Sequence, residues 1–155
     1  MGLEIERKFL VNGDAWKKNV SRSIHYRQGY LCGSSHASVR VRVTDAEARL
    51  NIKSATLGVQ RDEFEYVIPL DEARHMLEAL CEGPLIEKTR HFVEHQGHVW
   101  EVDVFEGQNE GLVVAEIELC AADEAFDRPP WTGEEVSHDP RYYNTSLVRH
   151  PYCQW

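Results

Sequence analysis

The side chains best suited to chemistry are charged residues at alternate positions. In chain order they are Glu4, Glu6 and Lys8, then Arg40 and Arg42, Lys53, Glu63 and Glu65, Lys88 and Arg90, Glu101 and Asp103, and Glu116 and Glu118. In an extended strand, residues two apart share a face, so each Glu-x-Glu or Arg-x-Arg doublet sets two like charges on one side. At roughly 7 Å and an effective dielectric of about 20, such a pair repels by about 2 kcal/mol. In open water the cost is small; in an enclosed space something of opposite sign must relieve it. The basic set (Lys8, Arg40, Arg42, Lys53, Lys88, Arg90) suits a chain of phosphates, because Arg offers bidentate contacts and Lys a point charge. The acidic set (Glu4, Glu6, Glu63, Glu65, Asp103, Glu116, Glu118) suits Mg²⁺ or Mn²⁺, hard ions that prefer oxygen ligands. One or two such ions would let carboxylates and phosphates share a site.

The elements that must position these groups are strands. Opposite each charged face lies an apolar one: Leu3, Ile5, Phe9 and Val11; Val39, Val41 and Val43; Phe64, Tyr66 and Ile68; Trp100, Val102 and Val104; Ala115, Ile117 and Leu119. This alternation predicts strands over residues 3–11, 24–32, 38–44, 48–54, 62–69, 85–94, 99–106 and 112–120. A turn at Gln96-Gly97 joins two of them as a hairpin. Ala73, Met76, Leu77 and Leu80 have helical spacing, which predicts a helix over 72–81 with Asp71 as its N-cap and Gly83-Pro84 as its stop. Shorter helices are expected within 12–23, capped by Asp14, over 121–126 before Pro129-Pro130, and over 144–149. Short connections make neighbouring strands antiparallel. The expected fold class is therefore α+β, mostly antiparallel β: an eight-stranded closed barrel with a few helical inserts, its charged faces lining a tunnel. Small barrels usually fill with apolar side chains, so a charged lumen would be a binding site. The plainer alternative, a sheet with its charges in solvent, does not account for the same-sign doublets.

The bulk properties narrow the class. The 155 residues fit a single domain, 1–155, with 42% hydrophobic and 28% charged residues and a net charge of −9. That negative charge makes nucleic acid an unexpected partner. No apolar run approaches the ~18 residues of a membrane span, and a chain charged from its fourth residue does not read as a secretory signal. Cys32, Cys81, Cys120 and Cys153 are far apart and read as reduced thiols in a cytoplasmic protein. There is no P-loop sequence. His91, His95 and His98 flank the Gln96-Gly97 turn and read as a solvated hairpin rather than a zinc site. Cys32 has no neighbouring base in the sequence to make it a nucleophile.

The ordered series Glu4-x-Glu6-x-Lys8, Arg40-x-Arg42, Lys53, Glu63-x-Glu65, Lys88-x-Arg90, Asp103 and Glu116-x-Glu118 resembles the CYTH domain of triphosphate tunnel metalloenzymes. The resemblance runs over nearly the whole chain, and the tail, Trp131-x-Gly133-Glu134-Glu135-Val136 followed by Arg141-Tyr142-x-Asn144, is similar to the compact bacterial members. It implies a tunnel that binds triphosphates with a divalent metal. Glu4, Glu6, Asp103, Glu116 and Glu118 would hold metal, and Glu63 and Glu65 would assist or orient water. Lys8, Arg40, Arg42, Lys53, Lys88 and Arg90 would hold phosphates, and Tyr30 beside Lys53 is a further catalytic candidate. The implied activity is hydrolysis of inorganic triphosphate to pyrophosphate and phosphate, by a monomer or homodimer acting on a small molecule. The alternatives are an adenylate cyclase of the same fold, a nucleoside or thiamine triphosphatase, and a polyphosphate-binding module without turnover.

Overall fold

The computed structural model describes residues 2–155. Nine strands form: β1 Gly2–Val11, β2 Val20–Gly33, β3 Ala37–Val43, β4 Ala48–Ser54, β5 Gln60–Ile68, β6 Glu82–His95, β7 His98–Phe105, β8 Val113–Glu118 and β9 Thr132–Glu135. The first eight run in the order β5-β4-β3-β2-β6-β7-β8-β1, and a β1–β5 pairing closes the ring. Every pairing is antiparallel. β1 makes the closure by changing partners. Gly2–Ile5 pair with β5, Glu6–Leu10 with β8, and the end of β1 with the short β9. The β6–β7 turn holds Gln96 at φ 48° and Gly97 at φ 82°, the double positive φ of a tight hairpin whose twist matches its strands.

The faces fall as the alternation predicts. Outward side chains of β1, β6, β7 and β8 (Ile5, Phe9, Val93, Trp100, Val102, Ala115, Ile117) are buried under Trp16, Leu119 and Trp131. Phe126 stands edge-on to both Phe9 and Trp100. α1, Leu70–Ala79, lays Ala73 and Leu77 over Val41, Val43 and Ala48. A third cluster lies inside the barrel. Ile86, Phe105, Leu112 and Val114 meet Val136, Tyr142 and Leu147, with Leu10 packed against them. Leu10, Ile86, Phe105 and Val114 continue the inward faces that carry Lys8, Lys88, Asp103 and Glu116. The lumen is thus charged along its length and apolar at one end, where the tail and α2, Asn144–Arg149, fill it. Membership of α2 in this plug explains a six-residue helix too short to persist alone.

Several expectations need correction. Residues 121–126 form no helix. Phe126 is drawn onto Phe9 and Trp100, and Glu124 accepts hydrogen bonds from the Cys120 N–H and from His98 in place of a helical ladder. A short 3₁₀ helix does form at Ala15–Asn19, but the Asp14 side chain makes no cap bond and pairs with Lys17 at 3.1 Å. α1 starts two residues early, with Pro69 at the cap position and Asp71 in its first turn, where a carboxylate still favours the helix dipole. β9 has no alternating pattern to reveal it. The four cysteines are free. No described helix is long and apolar enough to cross a membrane.

Candidate active site

The barrel order sorts the inward charges into two opposed arcs. β7, β8, β1 and β5 are neighbours and supply the carboxylates: Glu101, Glu116 and Glu118, Glu4 and Glu6, Glu63 and Glu65. β4, β3, β2 and β6 complete the ring and supply Lys53, Arg40 and Arg42, Tyr26 and Tyr30, Lys88 and Arg90. These side chains, together with Lys8, line one cavity of about 1080 Å³. Arg22, Arg49, Arg61, Tyr143 and Arg149 also face it. Strand alternation alone does not distinguish this cavity from solvent; closure of the ring does.

Where the arcs meet, charges pair. Arg90 donates to Asp103 at 2.7 Å, to Glu116 at 2.7 Å and to Glu101. Within the acidic arc, Lys8 of β1 lies 3.0 Å from Glu116 opposite it on β8. On the other side, Lys53 contacts Glu4 at 2.8 Å and Glu63 at 3.5 Å, and Glu65 accepts from Arg42 at 3.0 Å and from Arg49. Burial opposes ionisation of Glu116, yet Lys8, Arg90 and Lys88 hold it well below the usual carboxylate range. Burial lowers Lys88 to about 8 despite the opposing effect of Asp103.

Asp103 differs from the other expected metal ligands, although Arg90 Nη2 bridges it to Glu116. It is fully buried, does not line the cavity, and has both oxygens engaged by Arg90 and Lys88. In this structure it is a support for the basic arc. Tyr30 also departs from expectation. It lies opposite Arg40 in register, whereas Lys53 is taken up by Glu4 and Glu63, so the two are not brought together. Burial pushes the Tyr30 hydroxyl up, against the pull of the Arg40 charge.

Two groups are left with unbalanced charge. Arg40 is buried, has no carboxylate partner among the described residues, and its Nε has no hydrogen-bond partner. It is a cation held ready for an anion. On the acidic arc, Glu6 and Glu118 face each other directly in the β1–β8 register, with Glu4 beside Glu6 on the same face. The nearest cation to Glu6 is Arg61 at 3.7 Å, and Glu118 has no ion pair among the described residues. Burial, then Glu116 and Glu4, push Glu6 up to about 7; burial, Glu4 and Glu63 raise Glu118. An all-oxygen donor set carrying unrelieved negative charge fits a hard divalent cation. A separate group, His25, Glu87 and Glu106, brings ligand atoms within 4.8 Å of one another. It lies on the outer face, tied by Arg27 and Thr89.

Sequence reasoning missed Asn51, which is fully buried and donates to Glu63 at 2.9 Å and also to Glu65. It shares the inward parity of Lys53 but carries no charge to single it out. Glu101 was legible as a polar-face residue without a role, whereas Arg22 falls before the expected strand 24–32 in what is in fact the start of β2, and Arg49 had nothing to single it out. Arg22 stacks on the Phe92 ring at 3.9 Å, and Glu101 meets Arg90.

An antiparallel tunnel with a basic arc facing an acidic one defines a class of protein that holds an anion and a cation together. Residues 2–152 match the CYTH domain family, and the chain belongs to it. An inorganic triphosphatase of Acetivibrio thermocellus is 50% identical over 152 residues, covering 98% of this chain and 97% of that one. One from Nitrosomonas europaea is 37% identical over 149 residues, covering 94% and 96%. The crystal structure of the inorganic triphosphatase NE1496 superposes with a TM-score of 0.68 at 35% identity, over 96% of this chain and 95% of that one. The PH1012 protein of Pyrococcus horikoshii, at 17% identity, 77% and 80% coverage and a TM-score of 0.62, shares the fold.

Proposed function

We propose that this chain is a divalent-metal-dependent phosphoanhydride hydrolase that cleaves inorganic triphosphate to pyrophosphate and phosphate inside the tunnel, acting as one domain. The observation that carries the reading is the opposition of an unpaired buried cation, Arg40, to an under-neutralised carboxylate pair, Glu6 and Glu118. A linear triphosphate is a compact anion that uses many cations at once. The activity carried in the names of two relatives that align end to end supports the choice.

Phosphoryl transfer asks a protein for position and charge more than for covalent help. Arg40, Arg42, Lys53, Lys88, Arg90 and Lys8 seat the phosphates. Asp103 fixes Lys88 and Arg90 from behind, so their charges are already in place when the substrate arrives and little reorganisation is needed. Glu4, Glu6, Glu116 and Glu118 would hold Mg²⁺ or Mn²⁺, which when bound neutralises phosphate oxygens as a Lewis acid. Glu63 and Glu65, fixed by Asn51 and Arg42, orient a water for in-line attack on the terminal phosphorus. The new P–O bond forms as the bridging P–O bond breaks, and pyrophosphate leaves. No Ser, Cys or His nucleophile is required.

The test is phosphate release from tripolyphosphate with Mg²⁺ or Mn²⁺, with ATP hydrolysis and cyclic AMP followed in parallel. Release from tripolyphosphate that stops with chelator supports the reading; cyclic AMP from ATP with tripolyphosphate inert replaces it with a cyclase. Glu118→Gln should abolish metal-dependent turnover in a folded protein, and wild-type turnover in that variant would rule out its role.

A further inference from the structure

We propose that Asn51 is a positioning residue that seats the phosphate-facing Arg40 and the water-orienting Glu63 and Glu65 relative to one another, an inference that rests on the triphosphatase reading. Asn51 occupies the seam between the arcs. It lies opposite Arg40 on β3 and opposite Glu65 on β5. Its side chain is fully buried. A carboxamide offers two N–H donors and a carbonyl acceptor. Carboxylates only accept, so the NH₂ must face Glu63 and Glu65, as it does. Both donors are then spent on the acidic arc.

The carbonyl remains. Asn51 Oδ1 is buried without a partner, and so is the Nε of Arg40, its neighbour directly across β3 and β4. An unused acceptor and an unused donor therefore sit on adjacent strands, on the same inward face. Buried polar groups are ordinarily satisfied, and these two complement each other. A phosphate drawing on the outer nitrogens of Arg40 leaves Nε as the donor turned toward the Asn51 carbonyl. The same amide then holds the guanidinium behind the phosphate and the two carboxylates beside the water. No charged side chain could take this place without upsetting one arc: Asp would repel Glu63 and Glu65, and Lys would compete for them.

The test separates the two arms. Calorimetric binding of tripolyphosphate in EDTA reads the seating of Arg40, and kcat with metal reads the orientation of Glu63 and Glu65. Asn51→Leu keeps the volume and loses both arms. Its kcat should fall about ten-fold or more and its tripolyphosphate Kd rise about five-fold, in the range seen when groups that orient a site are removed. Asn51→Thr, which retains a hydroxyl donor and acceptor, should recover part of both losses. A folded Asn51→Leu protein with kcat and Kd within about two-fold of wild type overturns the proposal, as does a Thr variant no better than Leu, because a packing role alone moves thermal stability without this pattern. If the Leu variant does not fold, Asn51→Thr is read against wild type: a several-fold loss of kcat supports the proposal and unchanged kinetics refute it. If the wild-type chain releases no phosphate, the triphosphatase reading fails on its own account, and the EDTA binding arm still decides whether Asn51 seats Arg40.

Discussion

Replacing Glu6 by Gln should stabilise the metal-free protein at pH 8, although it removes a carboxylate from the active site. The Glu6 carboxyl rises from 4.5 to about 7 in the fold because burial, Glu116 and Glu4 oppose its charge. The folded state therefore binds a proton more tightly than the unfolded state. The resulting cost is absent below pH 4.5, grows as the pH rises through the interval to about 7, and is complete above it. At about 1.4 kcal/mol for each pKa unit, the full cost is about 3 kcal/mol. Glu4 and Glu116 share the repulsion and adjust when it is relieved, so about 1–3 kcal/mol is the expected gain. For a chain of this length that is a Tm rise of roughly 2–10 °C. The assay is urea or thermal unfolding of wild type and Glu6→Gln in EDTA at pH 5 and pH 8. The variant's advantage should be large at pH 8 and shrink at pH 5. In Mg²⁺ the order should reverse, since only the wild-type protein gains the full binding energy of the ion. A Gln variant less stable than wild type at pH 8 in EDTA would refute the reasoning, because it would mean that Glu6 is already satisfied.

Three other predictions follow from the same geometry. Arg40→Ala should weaken tripolyphosphate binding by roughly 10- to 100-fold, from the loss of charge-assisted hydrogen bonds worth about 1.5–3 kcal/mol, with little loss of stability, since Arg40 has no carboxylate to abandon; calorimetry in EDTA reads the first and thermal unfolding the second. Asp103→Asn should cost about 3–5 kcal/mol in urea unfolding by leaving Lys88 and Arg90 buried against fewer charges, and should move the loss of activity at high pH to lower pH as Lys88 deprotonates more readily. Leu147→Ala, at a position with no exposure, should cost about 2–5 kcal/mol in the same measurement, which would show that the tail is part of the fold and not an appendage.

The sequence made the barrel legible because two periodicities agreed. Arg40 and Arg42 alternate against Val39, Val41 and Val43, and Glu116 and Glu118 alternate against Ala115, Ile117 and Leu119, so the face of each strand was readable before any pairing was known. What the alternation does not carry is which strands adjoin. The separation of the charges into two arcs depends on β2 pairing with β6 and β1 with β5, contacts distant in the chain. For the same reason parity groups Asp103 with the metal carboxylates, whereas Lys88 and Arg90 on the neighbouring β6 claim both of its oxygens. Asn51 escaped notice because a neutral amide between Leu50 and Ile52 looks like any solvated strand residue. The plug of Val136, Tyr142 and Leu147 has no regular spacing, so its burial inside the barrel end follows only from the tertiary fold.

The division of the lumen into an acidic and a basic arc is measured most directly by an anomalous-scattering map from crystals soaked with Mn²⁺ and tripolyphosphate. The prediction is a manganese peak among Glu4, Glu6, Glu116 and Glu118, with phosphate density against Arg40, Arg42, Lys88 and Arg90. Manganese at His25, Glu87 and Glu106 on the outer face and none in the lumen, in a protein that still hydrolyses tripolyphosphate with Mn²⁺, would contradict it.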